Sequence, residues 1–460
     1  MSGQQLRAAV VGAGPAGFYT TADLLKAGWE VDLYDVLPTP FGLVRFGVAP
    51  DHPKIKSVTR MYEKTAKHDA FRFFGGVCLG QDVVREELLE RYHAVVYAVG
   101  SADDRRLGIP GEDVAGCHAA TEFVAWYNGH PDYAEMEFDL SAERAVVIGN
   151  GNVALDVARM LVLDPDELAL TDTADHAMAP LMEAGVREVV VLGRRGPVQA
   201  AFTNPELLEL GELVRADIIV HAADLELDDA SAAWLESDEA DAADRRRIEI
   251  LREYAAREPR GATHRMELQF LRSPLEVLEA NGRVTGLRVG RNRLETGEDG
   301  RLRAVPTGEE EVIECGLVLR SIGYTGRTLP GVPFDERRGT IRNAGGRVLG
   351  DDGEPLPGEY AVGWIKRGPT GVIGTNKKDA ADTSARILED VEAGALNAPA
   401  DSDADAIEAW LRERAPDHVT WEGWRAIDEH ELGLGEPRGR PRVKLVRLAE
   451  MLDVAARVRR

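Results

Sequence analysis

Two glycine-rich turns and the charged residues that follow them carry the chemistry this sequence offers. The first turn, Gly12-Ala13-Gly14-Pro15-Ala16-Gly17, follows the apolar residues 8–11 and precedes a helical pattern over 18–27. In such a strand–turn–helix, Gly12 permits the turn and Gly14 lets the backbone approach a pyrophosphate. Gly17 lets helix and strand pack closely. The phosphate meets unpaired N–H groups at the positive end of the helix. The next strand pattern ends at Asp35, 23 positions after Gly12. A carboxylate there accepts ribose hydroxyls and repels a 2′-phosphate.

The second turn, Gly149-Asn150-Gly151-Asn152-Val153-Ala154, follows residues 144–148, and its last position is the alanine that the fingerprint allows. Its partner strand, 188–192, ends at Gly193-Arg194-Arg195-Gly196. Where the first unit puts an aspartate, the second puts two guanidinium forks, which match a 2′-phosphate bidentately. The expectation is FAD or NAD at the first turn and NADP at the second. One nucleotide site with a structural echo is the alternative.

The elements around these turns follow from periodicity and punctuation. Residues 37–54 hold several prolines and glycines and read as an extended loop, with His52 between Pro50 and Pro53. By its residues alone His52 is as well explained as a surface histidine as a functional one. A helix is expected over 55–67, strands over 71–79 and 94–100, and a helix over 173–184. Residues 266–271, 275–279 and 284–289 alternate as an antiparallel meander with Asn281-Gly282 as a hairpin turn. Residues 318–323 form another strand ending in glycine. An acidic stretch at 222–244 precedes Arg245-Arg246-Arg247, which opens a helical pattern. A strand over 359–364 leads through Gly368 and Gly371 into a helix from about Lys377. That helix start suits an anion or the negative charge of a reduced flavin.

The chain has 460 residues, 44% of them hydrophobic, enough for about two to four domains. Its net charge of −24 argues against bulk binding of nucleic acid or anionic membrane. No apolar run is long enough to span a bilayer. The first strand begins within a few residues of the N-terminus, leaving no room for a leader. Cys78, Cys117 and Cys315 form no CxxC, so no zinc or other metal site and no redox dithiol is suggested. Buried free thiols in a reducing cytoplasm are expected.

Blocks at 37–54, 146–159, 191–203, 359–379 and 435–445 give the chain its resemblance to the adrenodoxin-reductase-type ferredoxin–NADP reductases, and to their mycobacterial branch in particular. The resemblance spans almost the whole chain. It implies an α/β fold with two Rossmann-like three-layer nucleotide-binding domains, the NADP domain (104–322) inserted into the FAD domain (1–103 and 323–460, the latter with a C-terminal extension). It places FAD on the first glycine turn and on Ala16, Asp35, Leu43, Leu79, Trp364 and Gly371-Val372-Ile373. NADP(H) falls on Asn150, Gly151, Asn152, Val153, Arg194, Arg195, Glu206 and Gly371. His52 and Glu206 match residues with catalytic roles in the family, and Arg245-Arg246-Arg247 match its basic helix for docking an iron–sulfur ferredoxin. Asp35 stands where glutamate is usual, Phe41 where tryptophan is, and Leu79 where valine is. None of these departures removes a required chemical group.

The implied activity is hydride transfer between NADPH and FAD, then single-electron transfer to the ferredoxin, by a monomeric cytoplasmic enzyme. A flavin joins two-electron and one-electron chemistry, which no side chain does. The rivals are an NADPH-dependent flavin diaphorase or quinone reductase, and a non-enzymatic flavin redox-sensing module. The paired arginines and Trp364 argue against the sensor, which needs no complete hydride site.

Overall fold

The computed structural model describes residues 5–298 and 301–459. The chain divides into two compact units. One comprises the chain up to Val48, His52–Arg105 and the stretch from Gly323 onward; the other comprises Ala49–Asp51 and Arg106–Ile322.

The first unit is built on a sheet whose strand order is Asn343–Ala344, Arg347–Leu349, Pro355–Ala361, Ala94–Tyr97, Arg7–Val11, Glu30–Asp35, Phe71–Gly75. From Pro355–Ala361 to Phe71–Gly75 all neighbours are parallel, and a short antiparallel hairpin closes the other edge. The central strand Arg7–Val11 is buried along its length, as a strand covered on both faces must be. Helix Pro15–Lys26 follows it and packs against helix Ile373–Ala393.

The second unit repeats the plan with strands Cys117–Ala119, Leu317–Arg320, Arg144–Ile148, Glu188–Leu192, His264–Gln269 and Ala216–Val220, all parallel. A three-stranded antiparallel sheet, Arg272–Ala280, Arg283–Thr296 and Leu302–Glu314, is appended to it.

Several expected elements are corrected. The run at 266–271 is not part of the meander: His264–Gln269 is an inner parallel strand, and Leu271, with φ of 57°, turns the chain into the antiparallel sheet. Local alternation suits either sheet, so only pairing decides. The single helix over 55–67 is two helices, Pro53–Lys56 and Thr59–Thr65. The Ser57 hydroxyl donates to the Lys54 carbonyl and the Thr59 hydroxyl to that of Lys56, competing with the helical ladder between them. The strand at 71–79 stops at Gly75, and the helix expected from Lys377 begins at Ile373, one turn earlier.

Candidate functional site

In the first unit the glycines divide their tasks by geometry. Gly12 has φ of 110°, and a Cβ there would lie 2.5 Å from the Ala98 carbonyl oxygen. A Cβ on Gly17 would lie 2.0 Å from the oxygen of Gly12. At Gly14 nothing lies within 4 Å, so the space is open. Gly14 is also the N-cap of helix Pro15–Lys26, which has no capping side chain. The first turn of this helix therefore presents amide donors to an open cradle, which fits a pyrophosphate.

Asp35 ends its strand beside this cradle. Its carboxylate accepts from the amides of Ala13 at 2.7 Å and Leu37 at 2.9 Å. Burial pushes its pKa up to about 6, against the pull of these two donors. The aspartate therefore ties the glycine turn to its own strand, and its remaining lone pairs suit ribose hydroxyls.

Two further pieces of this unit, the Phe41–Gly42 turn and Gly363, abut the cradle. Phe41 (φ 87°) and Gly42 (φ 49°) bend the chain so that a Cβ on Gly42 would sit 3.1 Å from the Gly14 Cα, and Leu43 opens the short helix that follows. Gly363 brings the end of Pro355–Ala361 to Ala16, whose Cβ is 2.7 Å from where a Cβ of Gly363 would be. Trp364 comes next; its ring lies 5.3 Å from Tyr324, and its indole Nε1 is buried with no acceptor. Gly371, Val372 and Ile373 form the start of helix Ile373–Ala393, with Gly371 and Val372 exposed. Leu79 is half-buried in the loop after Phe71–Gly75. These features fit FAD: an open phosphate cradle, a carboxylate at the ribose position and an orphaned indole donor.

The second unit repeats the cradle with different chemistry. Gly149 has φ of 139° and would drive a Cβ to 2.0 Å from the Ser321 oxygen, whereas Gly151, the N-cap of Asn152–Val162, has open space. Asn152 accepts from the Thr203 amide at 2.8 Å, and the Asn150 carbonyl accepts from the amides of Ala201 and Phe202. The motif thus fixes the chain that leads to Glu206. Arg194 and Arg195 are exposed, and among the described residues neither has a carboxylate partner. Partial desolvation in the loop lowers the pKa of Arg195, and the positive charge of Arg194 lowers it further. Two unneutralised guanidiniums side by side fit a dianionic 2′-phosphate.

Their backbone is held by residues that carried no signal in the sequence. The Asn292 amide donates to the Arg194 carbonyl at 2.9 Å, from 98 positions away, and the Leu271 N–H donates to Arg195 at 3.2 Å. Asn292 also donates to Ser273 at 2.8 Å. No local pattern links Asn292 to the arginine loop, so the pairing becomes visible only in the fold.

Glu206 is buried in the first turn of helix Asn204–Glu209. It belongs to a cluster around Arg159 that the sequence reading did not single out. Arg159 donates to Asp51 at 2.7 and 3.2 Å, to Asp156 at 3.1 Å and to Glu209 at 3.1 Å, with Glu206 at 3.6 Å. Four carboxylates thus surround one guanidinium. Burial first, then the charges of Glu206, Asp51 and Glu209, push the Asp156 pKa up to about 8 against the pull of Arg159. His52, in the first unit, is buried at the N-cap of helix Pro53–Lys56.

The three docking candidates lie on helix Ala242–Ala255 and are engaged within their own unit. Arg245 donates to the Leu235 and Ser237 carbonyls, Arg246 to Glu249 and Glu253, and Arg247 to Asp244 and the Val198 carbonyl. Cys78 is half-buried, and Cys117 and Cys315 are buried; all three are free thiols. Among the described residues no helix is long and apolar enough to cross a membrane.

The sequence profile of the pyridine nucleotide-disulphide oxidoreductases matches residues 6–192. The chain is 50% identical over 458 residues to the NADPH-ferredoxin reductase FprA of Mycobacterium tuberculosis strain H37Rv, covering 97% of this chain and 98% of that one. It is 45% identical over 461 residues to the mitochondrial NADPH:adrenodoxin oxidoreductase of Salvelinus fontinalis, covering 97% of this chain and 90% of that one. Among solved structures, Mycobacterium tuberculosis FprA in complex with NADPH matches with a TM-score of 0.92 at 49% identity, covering 98% of this chain and 100% of that one.

Proposed function

We propose that this chain, which belongs to the adrenodoxin-reductase-type NADPH–ferredoxin reductases, is an FAD enzyme that carries electrons from NADPH to an iron–sulfur ferredoxin. The observation that carries the reading is the pair of open cradles. One is closed by the carboxylate of Asp35, the other by the unpaired guanidiniums of Arg194 and Arg195. FAD, when bound, supplies the exchange between a hydride and single electrons.

The residues of the first unit hold that group. Gly12, Gly14, Ala16 and Gly17 offer the pyrophosphate their backbone, and Asp35 takes the ribose. Leu43 and Leu79 cover it with apolar surface. Trp364, whose buried indole N–H has no acceptor, would offer that donor and shield the ring from water. Gly371, Val372 and Ile373 would offer a helix N-terminus, which suits negative charge on the reduced ring.

In the second unit Asn150, Gly151, Asn152 and Val153 carry the NADP(H) pyrophosphate, and Arg194 and Arg195 grip the 2′-phosphate. Gly371, from the first unit, is assigned to NADP(H) as well. Glu206 and His52 orient the nicotinamide and hold or move a proton beside it, rather than acting as nucleophiles. Residues 104–322 form the NADP domain, inserted between the FAD-domain segments 1–103 and 323–460. The enzyme is a cytoplasmic monomer.

The ferredoxin docks in part on Arg245, Arg246 and Arg247. Their present partners do not preclude this, because exposed ion pairs are worth about 0–1 kcal/mol and are readily exchanged. Anaerobic reduction of an adrenodoxin-type [2Fe–2S] ferredoxin by NADPH tests the function. NADPH-dependent reduction of ferricyanide or a quinone without reduction of any ferredoxin would make the chain a diaphorase instead.

A further inference from the structure

The chain carries −24, yet residues 53–68 contain Lys54, Lys56, Arg60, Lys64 and Lys67 against the single acid Glu63. This stretch forms helices Pro53–Lys56 and Thr59–Thr65 in the first unit. Arg60 and Lys64 are four positions apart and share one helix face, with Lys67 in the turn that follows. Tyr62 lies between them on the opposite face and is buried. Its ring stacks on Phe18 at 4.8 Å and lies 5.9 Å from Phe41. Phe18 sits on the helix that Gly14 opens, and Phe41 precedes the Gly42 that abuts Gly14. The inner side of this helix therefore braces the FAD cradle, and the outer side is basic.

Lys54, Arg60, Lys64 and Lys67 are exposed, and among the described residues no carboxylate pairs with any of them. That sets them apart from Arg246 and Arg247 on helix Ala242–Ala255, whose charges are spent on acids of their own helix. Ile55 and Met61 are exposed by 41% and 40% among these cations and offer apolar contact. Unneutralised like charges side by side repel one another, and an acidic protein surface relieves that repulsion. Electron transfer falls steeply with distance, so the acceptor must seat against the unit that holds the flavin.

We propose that the outer face of residues 53–68, through Arg60 and Lys64 flanked by Lys54 and Lys67, is a docking surface for acidic side chains of the ferredoxin, with Ile55 and Met61 packed within it. This rests on the ferredoxin-reductase reading above. It adds a face on the FAD-bearing unit to the arginine helix of the other unit.

The test is steady-state turnover of the holoenzyme with an adrenodoxin-type [2Fe–2S] ferredoxin at low and physiological salt, alongside NADPH–ferricyanide turnover. The double variant Arg60→Glu/Lys64→Glu is expected to raise the KM for ferredoxin about tenfold at low salt and to flatten its salt dependence. FAD content and ferricyanide turnover should match the unaltered enzyme. An unchanged KM with an unchanged salt dependence overturns the proposal. So does retention of the unaltered enzyme on phosphatidylserine vesicles with no change in ferredoxin KM, since the stripe would then serve lipid. If charge reversal also lowers ferricyanide turnover, the neutral pair Arg60→Gln/Lys64→Gln decides, with a KM rise of about threefold expected and an unchanged KM overturning the face. Failure of the unaltered enzyme to reduce ferredoxin while it reduces ferricyanide is a different result: it overturns the functional reading, and this face with it.

Discussion

Arg45 and Glu431, 386 positions apart, form a two-pronged ion pair in the interior of the first unit, with N–O distances of 2.9 and 2.5 Å. Glu431 also accepts from Arg442 at 3.1 Å and from the Leu445 amide at 2.8 Å, and Lys444 donates to the Arg45 carbonyl. The Arg45 guanidinium lies over the rings of Phe46 and Trp424. Arg45 belongs to the short helix Leu43–Phe46, which follows the Gly42 turn against Gly14. The C-terminal segment thereby clamps the loop that closes the FAD cradle.

Glu431→Ala should cost about 3–5 kcal/mol, the range for leaving one partner of a buried pair alone. Burial raises the Glu431 pKa, but the charge and hydrogen bonds of Arg45, with Arg442 and the Leu445 amide, hold it below the usual glutamate value. A depressed carboxylate contributes stability above its ordinary pKa and loses it as pH falls through the folded value. The variant should therefore release FAD at lower temperature and show a shallower acid limb in thermal unfolding. Flavin fluorescence on heating between pH 4 and 7 measures both, and an unaltered release temperature would remove the clamp.

Gly12 and Gly14 should fail in different ways. Gly12→Ala meets the Ala98 carbonyl at a positive φ, so the fold itself should lose roughly 1–3 kcal/mol or more. Gly14→Ala meets nothing, so the flavin-free protein should keep its stability within about 0.5 kcal/mol. The added methyl should nevertheless lower FAD affinity by filling the space a pyrophosphate would occupy. Titration of flavin-free protein with FAD, beside its thermal unfolding, separates the two.

What the sequence made legible is local. Gly12, Gly14 and Asp35, and likewise Gly149, Gly151 and Arg194-Arg195, are fixed within single strand–turn–helix–strand units, so spacing alone brings them together. The acidic cluster around Arg159 joins three segments: Asp156 on its own helix, Asp51 in the loop before His52, and Glu206 with Glu209 on helix Asn204–Glu209; spacing gives each pair within a helix, but nothing in one segment announces the other two. The same holds for Asn292 on Arg194 and for Glu431 on Arg45. The misplaced strand at 264–269 has the same cause, since partners distant in sequence decide which sheet an alternating run joins. The break in the helix at residues 57–58 has a local cause instead: the hydroxyls of Ser57 and Thr59 bond back to the carbonyls of Lys54 and Lys56.

Arg194→Ala/Arg195→Ala should lower kcat/KM for NADPH by roughly 2–4 kcal/mol, the scale of two charge-assisted contacts, and leave NADH nearly untouched. Asn292→Leu should give a smaller loss in the same direction, because it frees the Arg194 carbonyl without removing a charge. Kinetics with both nucleotides check this; a double variant that still strongly prefers NADPH would displace the phosphate site.

His52→Ala should slow flavin reduction at saturating NADPH more than it weakens NADP binding, since an orienting group acts mainly in the transition state. Stopped-flow absorbance of the flavin reads the step directly. A rate equal to that of the unaltered enzyme would leave the buried His52 a packing role only.

Asp156 sets a pH dependence of opposite sign to that of Glu431. Its folded pKa, about 8, lies above its ordinary value of 3.8, chiefly through burial and then through Glu206, Asp51 and Glu209. Between those values the folded protein holds a proton that the unfolded chain has released. Its contribution is therefore full below the ordinary pKa and is lost progressively as pH rises to the folded one. Asp156→Asn keeps the volume and a hydrogen-bonding group for Arg159 but has no proton to lose. Thermal unfolding from pH 5 to 9 should fall for the unaltered enzyme and be flatter for the variant, the two curves diverging by on the order of 1–3 kcal/mol across the range. If both curves fall in parallel, the proton is not held by Asp156.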